Sequence, residues 1–356
     1  MAELIRRARG SVDFTVVSAR LAPELRPLVA WRRIPAPRRP FPLRFLTFFV
    51  VAGMRLRRER TELVHATGAI VPNRLDLVTV HFCHHGYRAR VGGLAAPGLR
   101  GRRRAGRAVT RVLGLLAERW CYRGSRARRL AAVSPGQAEE LARLFPEVPV
   151  TVTPNGVDLE PDRATGAGAV PPSKRDGEVV ALFVGADFDR KGLAVAIEAV
   201  ERTRAEAAVP LRLWVVGGGQ REPYDELIAR LGMIDAVEFF GARPDVERFY
   251  AEADIFVLPT LYETFCLAAY EAARAGLPIV ATPVPGISEL VGEGEAGVLV
   301  ERSGRSVAAA LSTLVENPAR RRQLGRNAAE RAAPFTWERS VERVLDLYRE
   351  LSANRA

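Results

Sequence analysis

The chain has 356 residues, 48% of them hydrophobic and 7% aromatic, with a net charge of +12. This apolar content excludes a disordered chain, and the length predicts two domains rather than one. No membrane span is predicted, because no run reaches the roughly 18 uncharged apolar residues that a span needs. The nearest candidate, residues 45–54, is short and lies between Arg44 and Arg55.

The expected location follows from the opening segment and the cysteines. Residues 1–10, MAELIRRARG, do not show the apolar core of a secretory signal. The three cysteines (Cys83, Cys121 and Cys266) are widely spaced and indicate no disulfide framework. We therefore expect a cytoplasmic protein.

Positive charge is concentrated in the first half of the chain. Residues 1–160 contain 29 arginines and 12 acidic residues, a net charge of +17, whereas the remainder carries 24 basic and 29 acidic residues, a net charge of −5. A basic half predicts an anionic partner, which could be a membrane surface, a phosphorylated lipid or a nucleic acid. The alternative is a solvated arginine-rich surface, which the scarcity of lysine (Lys174 and Lys191 only) also fits.

The first half predicts strands and helices separated by arginine- and proline-rich connections. An opening helix over 2–9 leads into a strand over 12–18, and a connection at 30–42 precedes a helix over 43–60. Ser134 followed by Pro135 indicates a capped helix start. The other predicted elements are strands at 63–67, 75–82, 129–134 and 150–158 and a basic helix at 102–123.

The second half alternates regularly between strands and helices. Strands are predicted at 178–185, 211–216, 236–240, 254–258 and 278–281, with helices at 192–206, 223–231, 244–252, 265–275 and 286–291. Such alternation predicts parallel strands joined by crossover helices. The predicted fold class is α/β, with two Rossmann-like, doubly wound domains facing a cleft and the ligand at the carboxyl ends of the strands.

Composition also predicts the domain boundaries. Residues 159–177 are rich in proline, glycine and charge without periodicity, which is typical of a linker. We place the first domain at 1–160, the linker at 161–177 and the second domain at 178–334. Residues 335–356 contain a long amphipathic helix, which we expect to pack back on the first domain.

The stretch at 261–280, LYETFCLAAYEAARAGLPIV, predicts an anion site. Its pattern indicates a loop, a helix that begins near Cys266 and a buried strand. A helix N-terminus offers free N–H groups and the positive end of the helix dipole to a phosphate. Glu271 lies about 7 Å further along the helix, where the ribose of a nucleoside diphosphate would fall. Glu263, in the loop, could reach the group on the other side of the diphosphate.

Several ordered motifs resemble glycosyltransferase family 4, whose members have the two-domain GT-B fold. The matching segments are AVSPGQAEEL (132–141), PNGVD (154–158), FVGADFDRKGL (183–193), VVGGG (215–219), VEFFGARPDVERFYAEADIFVLPT (237–260) and YETFCLAAYEA (262–272). The resemblance covers roughly residues 60–350. It implies transfer of a sugar from a nucleotide diphosphate, with retention at the anomeric carbon and without a bound metal or other cofactor.

The resemblance also implies roles for individual residues. The catalytic residues would be His81, Arg190, Lys191 and Glu263, and no residue is expected to bind a metal. The donor nucleotide sugar would contact Gly185, Arg190, Lys191, Gly217, Gly218, Arg243, Thr264, Phe265, Cys266, Leu267 and Glu271. His84, His85 and Tyr87 are expected on the acceptor side. These residue types suit the chemistry, because positive charge stabilises a departing diphosphate and a carboxylate accepts two hydrogen bonds from a ribose diol.

Three short patterns have a second interpretation. Asp187–Phe188–Asp189 spells the DxD of metal-dependent transferases, but we interpret Asp189 as a helix cap. VVGGG at 215–219 lacks the G-x-G-x-x-G spacing of a dinucleotide site. HFCHH at 81–85 suggests a metal, but neighbouring side chains at a strand end point in different directions.

The chain departs from the family pattern in three respects. The family usually has glycine where Thr264 and Cys266 stand, so these side chains should narrow the donor-sugar pocket. The family also often has an arginine where Ala186 stands. Family members open with a strand and a Gly-Gly loop, whereas residues 1–18 resemble the first helix and the second strand. We therefore expect the opening unit to be lacking, either because the given sequence starts too late or because this member is impaired or works differently. The hypothesis is that the chain as given is poorly active and that an upstream extension restores activity.

The leading hypothesis is a cytoplasmic retaining transferase that moves a sugar from a UDP- or GDP-sugar to an envelope glycan or lipid-linked acceptor. Its basic first half would rest on the anionic inner face of the membrane, where residues 41–53 offer apolar contact. One alternative is a non-enzymatic anion- or RNA-binding protein, which leaves the two glutamates unexplained, so no nucleic acid is expected as a partner. The other is a nucleotide-sugar epimerase, which would need no acceptor.

Overall fold

The computed structural model describes residues 1–37, 41–94, 101–157, 174–175 and 177–353. They form two compact units. Residues 1–156 together with 335–356 make up the first unit, and residues 157–334 make up the second. Apart from residues 174–175 and 177, the linker predicted at 161–177 lies outside the described residues.

The first unit contains short parallel strands joined mostly by helices. In chain order its elements are α1 (Ala2–Arg7), β1 (Thr15–Ser18), a 3₁₀ helix (Pro23–Leu28), β2 (Ala30–Arg33), α2 (Phe41–Leu56), β3 (His65–Ala66), β4 (Leu75–Val80), α3 (His84–Val91), α4 (Gly101–Cys121), β5 (Ala127–Ala132), α5 (Pro135–Leu144) and β6 (Val150–Val152). Every described strand pair of this unit is parallel. Parallel pairing requires crossover connections, and the helices supply most of them.

The strands of the first unit form two separate sheets. β1 pairs with β2 from Thr15 opposite Ala30 to Ser18 opposite Arg33, and the second sheet has the order β3-β4-β5-β6. All six residues of β4 are buried, whereas all four residues of β1 are only half-buried. β2 lies inside the stretch 30–42 that composition predicts as a connection, because its pairing with β1 is a tertiary contact that local composition does not show.

The predicted helix start at Ser134 is confirmed. Its hydroxyl oxygen accepts the backbone N–H of Gln137 at 3.2 Å, and Pro135 is the first residue of α5. The buried Gln137 side chain accepts the N–H of Val133 and donates to the carbonyl of Val80, both at 2.7 Å. This amide therefore ties α5 to the carboxyl ends of β4 and β5.

The second unit repeats the strand–helix alternation without interruption of its sheet. Its elements are β7 (Val179–Val184), α6 (Phe188–Lys191), α7 (Leu193–Glu206), β8 (Leu211–Val216), α8 (Glu222–Arg230), β9 (Val237–Gly241), α9 (Val246–Glu252), β10 (Ile255–Leu258), α10 (Leu267–Arg274), β11 (Ile279–Ala281), α11 (Ile287–Val291), β12 (Gly297–Leu299), α12 (Gly304–Glu316) and α13 (Pro318–Ala332). The sheet has the order β12-β11-β10-β7-β8-β9, and its pairs are parallel. This is the strand order of a Rossmann fold.

The last helix, α14 (Trp337–Ala353), belongs to the first unit. Val341, Val344 and Leu347 on its buried side share a core cluster with Leu4 and Ala8 in the opening segment. A period of three to four residues places these three side chains on one face of the helix. The amphipathic pattern at the end of the chain thus completes the hydrophobic core of the first unit.

Exposed apolar side chains are concentrated on α2 and α4, which pack beside each other. Of the exposed large hydrophobic side chains on the described part of the chain, five lie on α2 and four on α4, and only three lie elsewhere. They are Phe41, Leu43, Leu46, Val50 and Met54 on α2 and Val109, Val112, Leu116 and Trp120 on α4. None of the helices in the described ranges has the length and apolar character needed to span a bilayer.

Candidate active site

The strand order of the second unit changes direction between β7 and β10. From β7 the chain continues through β8 and β9 on one side, then crosses to β10, β11 and β12 on the other. The loops after β7 and β10 therefore diverge and leave a crevice, which is where open α/β sheets bind ligands. Arg190 and Lys191 follow β7, and Glu263 follows β10.

Two cations and one carboxylate meet in this crevice. Glu263 Oε1 accepts hydrogen bonds from Arg190 Nη1 at 2.7 Å and from Lys191 Nζ at 3.0 Å. The three side chains are between 12% and 17% exposed, so water screens their charges only weakly. The carboxylate of Asp187 lies 3.4 Å from Arg190 Nε and adds a second, weaker contact.

The charge state of this cluster depends on two opposing effects, burial and the attraction between opposite charges. Burial opposes ionisation of Glu263, but the charges of Lys191 and Arg190 outweigh it and hold the pKa of Glu263 below its usual value. Burial likewise opposes the charge on Arg190, and Glu263 raises the pKa of this guanidinium in return. The site is thus a preformed, fully charged cluster at neutral pH.

The backbone of the two loops is joined by hydrogen bonds. Leu261 N–H donates to the carbonyl of Arg190 at 2.8 Å, and the Thr260 hydroxyl reaches the same carbonyl at 3.3 Å. Arg302, which follows β12, donates to the carbonyls of Pro259 at 3.0 Å and Asp189 at 3.1 Å. Sequence reasoning missed Arg302, because no local pattern shows that the loop after β12 reaches these carbonyls.

The prediction that Asp189 caps a helix is wrong. Asp187 is the residue that precedes α6, and its side chain makes no capping hydrogen bond. Asp189 lies inside the first turn, where its Oδ1 accepts the hydroxyl of Tyr224 at 2.8 Å. The carboxylate therefore bonds a side chain of α8 and is not available as a backbone cap.

Glycines allow the β7 and β8 loops to approach each other closely. A Cβ added to Gly217 would lie 1.7 Å from the carbonyl oxygen of Gly185, and one added to Gly185 would lie 2.1 Å from Cδ of Lys191. Both positions exclude a side chain because another atom already occupies the space. Gly217 thus leaves room for the Gly185 carbonyl, and Gly185 leaves room for the Lys191 side chain at the end of β7.

The N-terminus of α10 begins from an unusual backbone conformation. Cys266, the residue before α10, has φ 68° and ψ 72°, and it is the one described residue other than glycine with a positive φ. Left-handed backbone favours glycine, because a Cβ crowds the following carbonyl. The structure thus explains why glycine is the usual residue here, and the side chains of Cys266 and Thr264 are both buried.

Contacts of Phe265 with Tyr270 and Gly286 also fix the loop before α10. The Phe265 ring stacks on Tyr270 with centroids 4.0 Å apart, and the Tyr270 hydroxyl donates to the carbonyl of Gly286 at 2.9 Å. A Cβ added to Gly286 would meet the Phe265 backbone at 2.4 Å. The loop of Thr264, Phe265 and Cys266 is therefore packed tightly against the turn before α11.

Glu271 lies in the second turn of α10 and is held by a tyrosine. Its Oε2 accepts the hydroxyl of Tyr250 on α9 at 2.8 Å. Burial raises the pKa of Glu271, and the hydrogen bond from Tyr250 partly offsets that rise. Tyr250 is itself buried, and sequence reasoning missed it because a tyrosine in a helix is more often a core residue.

The remaining predicted donor residues lie at the carboxyl ends of neighbouring strands or at the helix start. Gly218 is exposed after β8, and Leu267 is exposed at the first position of α10. Arg243, after β9, donates to both carboxylate oxygens of Asp245, at 2.9 and 2.7 Å. Its guanidinium is thus committed to a neighbouring carboxylate.

Four predicted residues, His81, His84, His85 and Tyr87, belong to the first unit. His81 is exposed directly after β4. His84 Nδ1 lies 3.2 Å from Arg111 Nη1, and His85 Nδ1 lies 2.8 Å from a carboxylate oxygen of the buried Glu118. The Tyr87 ring is buried beneath the Arg111 guanidinium at 3.6 Å and presents no surface to a ligand.

Glu118 explains the arrangement of the adjacent histidines. Its two oxygens accept the backbone N–H groups of His84, at 2.6 Å, and His85, at 3.0 Å, at the start of α3. A carboxylate is favoured there by the positive end of the helix dipole. Across the described ranges, no three His, Cys, Asp or Glu side chains gather as a metal-binding group.

The fold and the site of the second unit define a class of protein. A Rossmann-type sheet with basic side chains, a helix N-terminus and two glutamates around its switch point is suited to a nucleoside diphosphate. Two family descriptions match the chain. "Glycosyltransferase Family 4" matches residues 1–161, and "Glycosyl transferases group 1" matches residues 170–331.

Named relatives agree with these matches. A D-inositol 3-phosphate glycosyltransferase of Acidothermus cellulolyticus is 30% identical over 365 residues, which cover 94% of this chain and 79% of the relative. Relatives of the same name with 34% identity align over about 245 residues, 64% of this chain, and the chain spans about half their length (55%). The chain belongs to the family 4-like glycosyltransferases.

Solved structures share the fold. WaaG, a glycosyltransferase involved in lipopolysaccharide biosynthesis, superposes with a TM-score of 0.76 at 20% identity over 97% of this chain and 94% of its own. Anabaena Alr3699/HepE, solved in complex with UDP and glucose, superposes with a TM-score of 0.54 at 20% identity over 76% of this chain and 77% of its own. The fold class is therefore that of GT-B glycosyltransferases, as the sequence predicts.

Proposed function

We propose that the protein is a retaining glycosyltransferase that moves a sugar from a UDP- or GDP-sugar to a cell-envelope glycan or lipid-linked acceptor. The observation that carries this proposal is the Arg190–Lys191–Glu263 cluster at the switch point of the sheet. The α10 N-terminus, with Glu271 one turn beyond it, lies in the same loop region. Sugar transfer by the named relatives and the UDP and glucose of the Anabaena structure support the donor class.

The donor would be bound by charge and by hydrogen bonds. The diphosphate would replace Glu263 as the ion-pair partner of Arg190 and Lys191. The N–H groups at the start of α10 would also donate hydrogen bonds to it, and the helix dipole would stabilise its charge. The Glu271 carboxylate would accept hydrogen bonds from both hydroxyls of the ribose, while the Tyr250 hydroxyl donates to its Oε2. Glu263, released from its ion pairs, would then accept hydroxyls of the donor sugar.

The reaction would need no protein nucleophile. The bond between the anomeric carbon and the diphosphate oxygen breaks, and the acceptor oxygen bonds that carbon from the same face. The acceptor proton passes to the departing diphosphate, whose negative charge Arg190 and Lys191 stabilise. Preorganised positive charge of this kind is worth roughly 10²–10³ in rate for each donor. His81 would guide the acceptor or the donor sugar.

The proposed chemistry is metal-independent, because the two cations and the helix N-terminus supply the charge that a divalent metal supplies in other transferases. We expect the rate of transfer to be the same with EDTA and with added Mg²⁺ or Mn²⁺. A rate that disappears with EDTA and returns with either metal would overturn this part of the proposal.

Nucleotide binding provides the first test. Unfolding temperatures measured with UDP, GDP and ADP should rise with one nucleotide and little with the others, since a ligand at about 100 times its Kd stabilises by about 2.7 kcal/mol. Glu271→Ala should abolish most of that rise, whereas the exposed control Glu226→Ala should keep it. Equal shifts in both variants would show that Glu271 does not bind the nucleotide.

Product analysis separates transfer from epimerisation. With sugars of the nucleotide identified by the thermal shift, the proposal expects nucleoside diphosphate release that depends on an added glycan or lipid-linked acceptor. The anomeric configuration of the product, read by NMR, should match that of the donor. A new nucleotide sugar formed without an acceptor would instead identify an epimerase.

The proposed acceptor places the protein at an anionic membrane surface. Leu43, Leu46, Val50 and Met54 follow one stripe of α2, and Val109, Val112, Leu116 and Trp120 follow one stripe of α4. Exposed arginines border these stripes at positions 44, 55, 119 and 123. Apolar side chains rimmed by arginine favour the interface of anionic lipids, where each basic residue contributes about 1 kcal/mol.

Vesicle binding tests this surface. The protein should float with phosphatidylglycerol vesicles and only weakly with phosphatidylcholine vesicles. The double variant Leu46→Glu, Leu116→Glu should lose most of this binding. The control Ile234→Glu, on an exposed side chain of the second unit, should not. Equal flotation of the two variants would show that α2 and α4 do not contact the membrane.

A further inference from the structure

The two cations of the candidate site belong to α6, which is a single helical turn. The last carbonyls of a helix have no partner within it and must find donors elsewhere. The Phe188 carbonyl accepts the N–H of Gly192 at 2.9 Å. The carbonyls of Asp189 and Arg190 accept instead from other loops. The position of Arg190 and Lys191 therefore depends on the segments that supply these donors.

Two ties join α6 to the loop after β10. The backbone tie is the Leu261 N–H, which donates to the Arg190 carbonyl at 2.8 Å. The charged tie is Glu263, whose Oε1 accepts from Arg190 and Lys191 at 2.7 and 3.0 Å. Each tie limits the distance between the two loops.

Arg302 forms a third tie from a separate segment. Its Nε donates to the Pro259 carbonyl at 3.0 Å, and its Nη2 donates to the Asp189 carbonyl at 3.1 Å. One planar guanidinium therefore bridges the start of the β10 loop and α6. A lysine ammonium does not reproduce this bridge, because it is a point charge on a flexible stem.

The segment that carries Arg302 is firmly held. Ser303 precedes α12, and its hydroxyl oxygen accepts the N–H of Ser306 at 3.2 Å. The Ser306 hydroxyl oxygen in turn accepts the N–H of Glu301 at 3.0 Å. The residues on both sides of Arg302 are thus hydrogen-bonded to the first turn of α12, which packs against α7. Support of this kind keeps a positioning side chain in place.

The Pro259 carbonyl lies very close to the end of α6. A Cβ added to Gly192 would lie 2.2 Å from the Pro259 carbonyl oxygen. The β10 loop therefore cannot move closer to α6, and the movement that remains is one away from it. Arg302, which binds a carbonyl on each side, opposes that movement.

The three ties differ in what a bound donor does to them. Under the proposed function the diphosphate replaces Glu263 as the partner of Arg190 and Lys191, so the charged tie is lost as the donor binds. Arg302 and Leu261 bind backbone carbonyls, which the donor does not displace. Arg302 is therefore a charged group that still joins the two loops when the donor is bound.

We propose that Arg302 is a positioning residue of the donor site, which holds α6 and the loop after β10 at the spacing that the diphosphate requires. It acts through the backbone and does not contact the donor. This inference rests on the proposed function, because it assumes that the diphosphate binds at Arg190 and Lys191.

Hydrogen exchange of the Leu261 amide, measured without nucleotide, tests the tie. Arg302→Met removes both hydrogen bonds and should speed this exchange at least about tenfold. The Phe256 amide, which donates to the Pro278 carbonyl within the sheet, should change by less than about twofold, since the sheet stays intact. The matched control Arg305→Met alters an exposed arginine in the first turn of α12 and should leave both amides unchanged.

The charged tie provides a second reading of the same amide. Glu263→Gln removes the ion pairs, so Arg302→Met should speed Leu261 exchange by a larger factor in that background than in wild type. Two ties that act in parallel between the same loops produce such non-additivity, whereas independent sites do not. Equal factors in the two backgrounds would overturn the proposal.

Nucleotide affinity tests the role of the spacing. The nucleoside diphosphate that raises the unfolding temperature is titrated by calorimetry at a temperature where every variant is folded. Arg302→Met should raise its Kd about tenfold, and Arg305→Met should not. Arg302→Lys keeps the charge without the bridge, so its Kd should stay raised together with fast Leu261 exchange. A wild-type Kd in Arg302→Lys with fast Leu261 exchange would show that the charge acts on the donor directly and would overturn the proposal.

Lys191→Ala separates the role of Arg302 from the proposed function. If the wild type binds a nucleotide and Lys191→Ala abolishes that binding while Arg302→Met keeps the wild-type Kd, only the role of Arg302 is wrong. If the wild type binds none of the nucleotides, the proposed function is wrong, and Arg302 has no donor to position.

Discussion

The two units follow the same strand–helix alternation but differ in the completeness of their sheets. In the second unit six parallel strands form one sheet, and β7 and β10 at its centre are almost entirely buried. In the first unit the strands form sheets of two and four, with a cavity of about 990 Å³ between them. A buried, continuous sheet can hold the side chains at its strand ends rigidly, whereas separate small sheets leave strand edges beside a cavity.

The units also differ in how they accommodate charge. The second unit buries Arg190 and Lys191 against Glu263, and Arg212 between Glu178 and Glu238. The first half of the chain carries a net charge of +17, with arginines exposed beside α2 and α4. Compensated buried charge suits a pocket for a small anion, and uncompensated surface charge suits a large anionic surface.

The largest expected effect concerns the buried ion cluster. Glu263→Gln leaves Arg190 and Lys191 without their shared partner, and removal of one member of a buried pair costs about 3–5 kcal/mol. The exposed control Glu226→Gln should change stability by less than about 0.5 kcal/mol. Urea unfolding of the two variants measures the difference, and an equal cost would show that the cluster does not stabilise the second unit.

The same variant has a defined pH dependence. Because the pKa of Glu263 in the folded state lies below its ordinary value of 4.5, its carboxylate contributes stability above that value. The contribution is lost as the pH falls through the folded-state pKa. The stability gap between wild type and Glu263→Gln should therefore be full near neutral pH and close in acid below 4.5.

The next expected effect concerns the rate of transfer. Lys191→Ala removes a positive charge from the proposed diphosphate site and should lower kcat by roughly 10²–10³. The exposed Arg221, which pairs with Asp225 and lies over the Phe239 ring, provides the control variant Arg221→Ala. If both variants kept the wild-type rate, the preformed cluster of the second unit would not be a catalytic site.

A pair of glycines tests how tightly the α10 loop is packed. Gly286 and Gly276 have similar positive φ values of 83° and 81°, but only Gly286 has backbone atoms within reach of an added Cβ. Gly276→Ala should cost about 1–2 kcal/mol for the left-handed backbone. Gly286→Ala should cost about 1–3 kcal/mol more, because the Phe265 backbone must move. Equal unfolding free energies for the two variants would contradict the close packing.

Core substitutions compare the two sheets directly. Val180 on β7 is fully buried, so Val180→Ala should cost about 2 kcal/mol or more. Val17 on β1 is half-buried beside the cavity, so Val17→Ala should cost less than about 1 kcal/mol. Hydrogen exchange of β7 and β1 amides measures the two costs locally, each in its own sheet. A larger cost at Val17 would contradict the contrast between the sheets.

The smallest expected effect concerns the hydrogen bond to Glu271. Tyr250→Phe removes the donor and should cost about 1 kcal/mol. Because this hydrogen bond lowers the pKa of Glu271, its loss should raise that pKa further. Nucleotide binding requires the ionised carboxylate of Glu271. As the pH is lowered, the variant should therefore lose nucleotide affinity at a higher pH than wild type does. Measurement of nucleotide affinity as a function of pH checks this. An unchanged pH profile would show that Tyr250 does not influence nucleotide binding through Glu271.

Local patterns in the sequence determined a large part of the second unit. The strand predicted at 211–216 matches β8 residue for residue, and the helix predicted to begin near Cys266 does so. Hydrophobic periodicity and capping residues act over a few residues, so sequence reading detects them. The positions of Arg190 and Lys191 after β7, and of Glu263 after β10, follow from the same alternation.

Only the tertiary structure decided which of these groups meet. Glu263 lies 72 residues from Lys191 in sequence, and Tyr250 lies 21 residues from Glu271; strand order and helix packing bring each pair into hydrogen-bond contact. Tertiary packing also placed Asp189 against Tyr224 rather than at a cap, and it left β1 and β3 as facing edges. Such partners are set by the folding of distant segments onto one sheet, which no local pattern encodes.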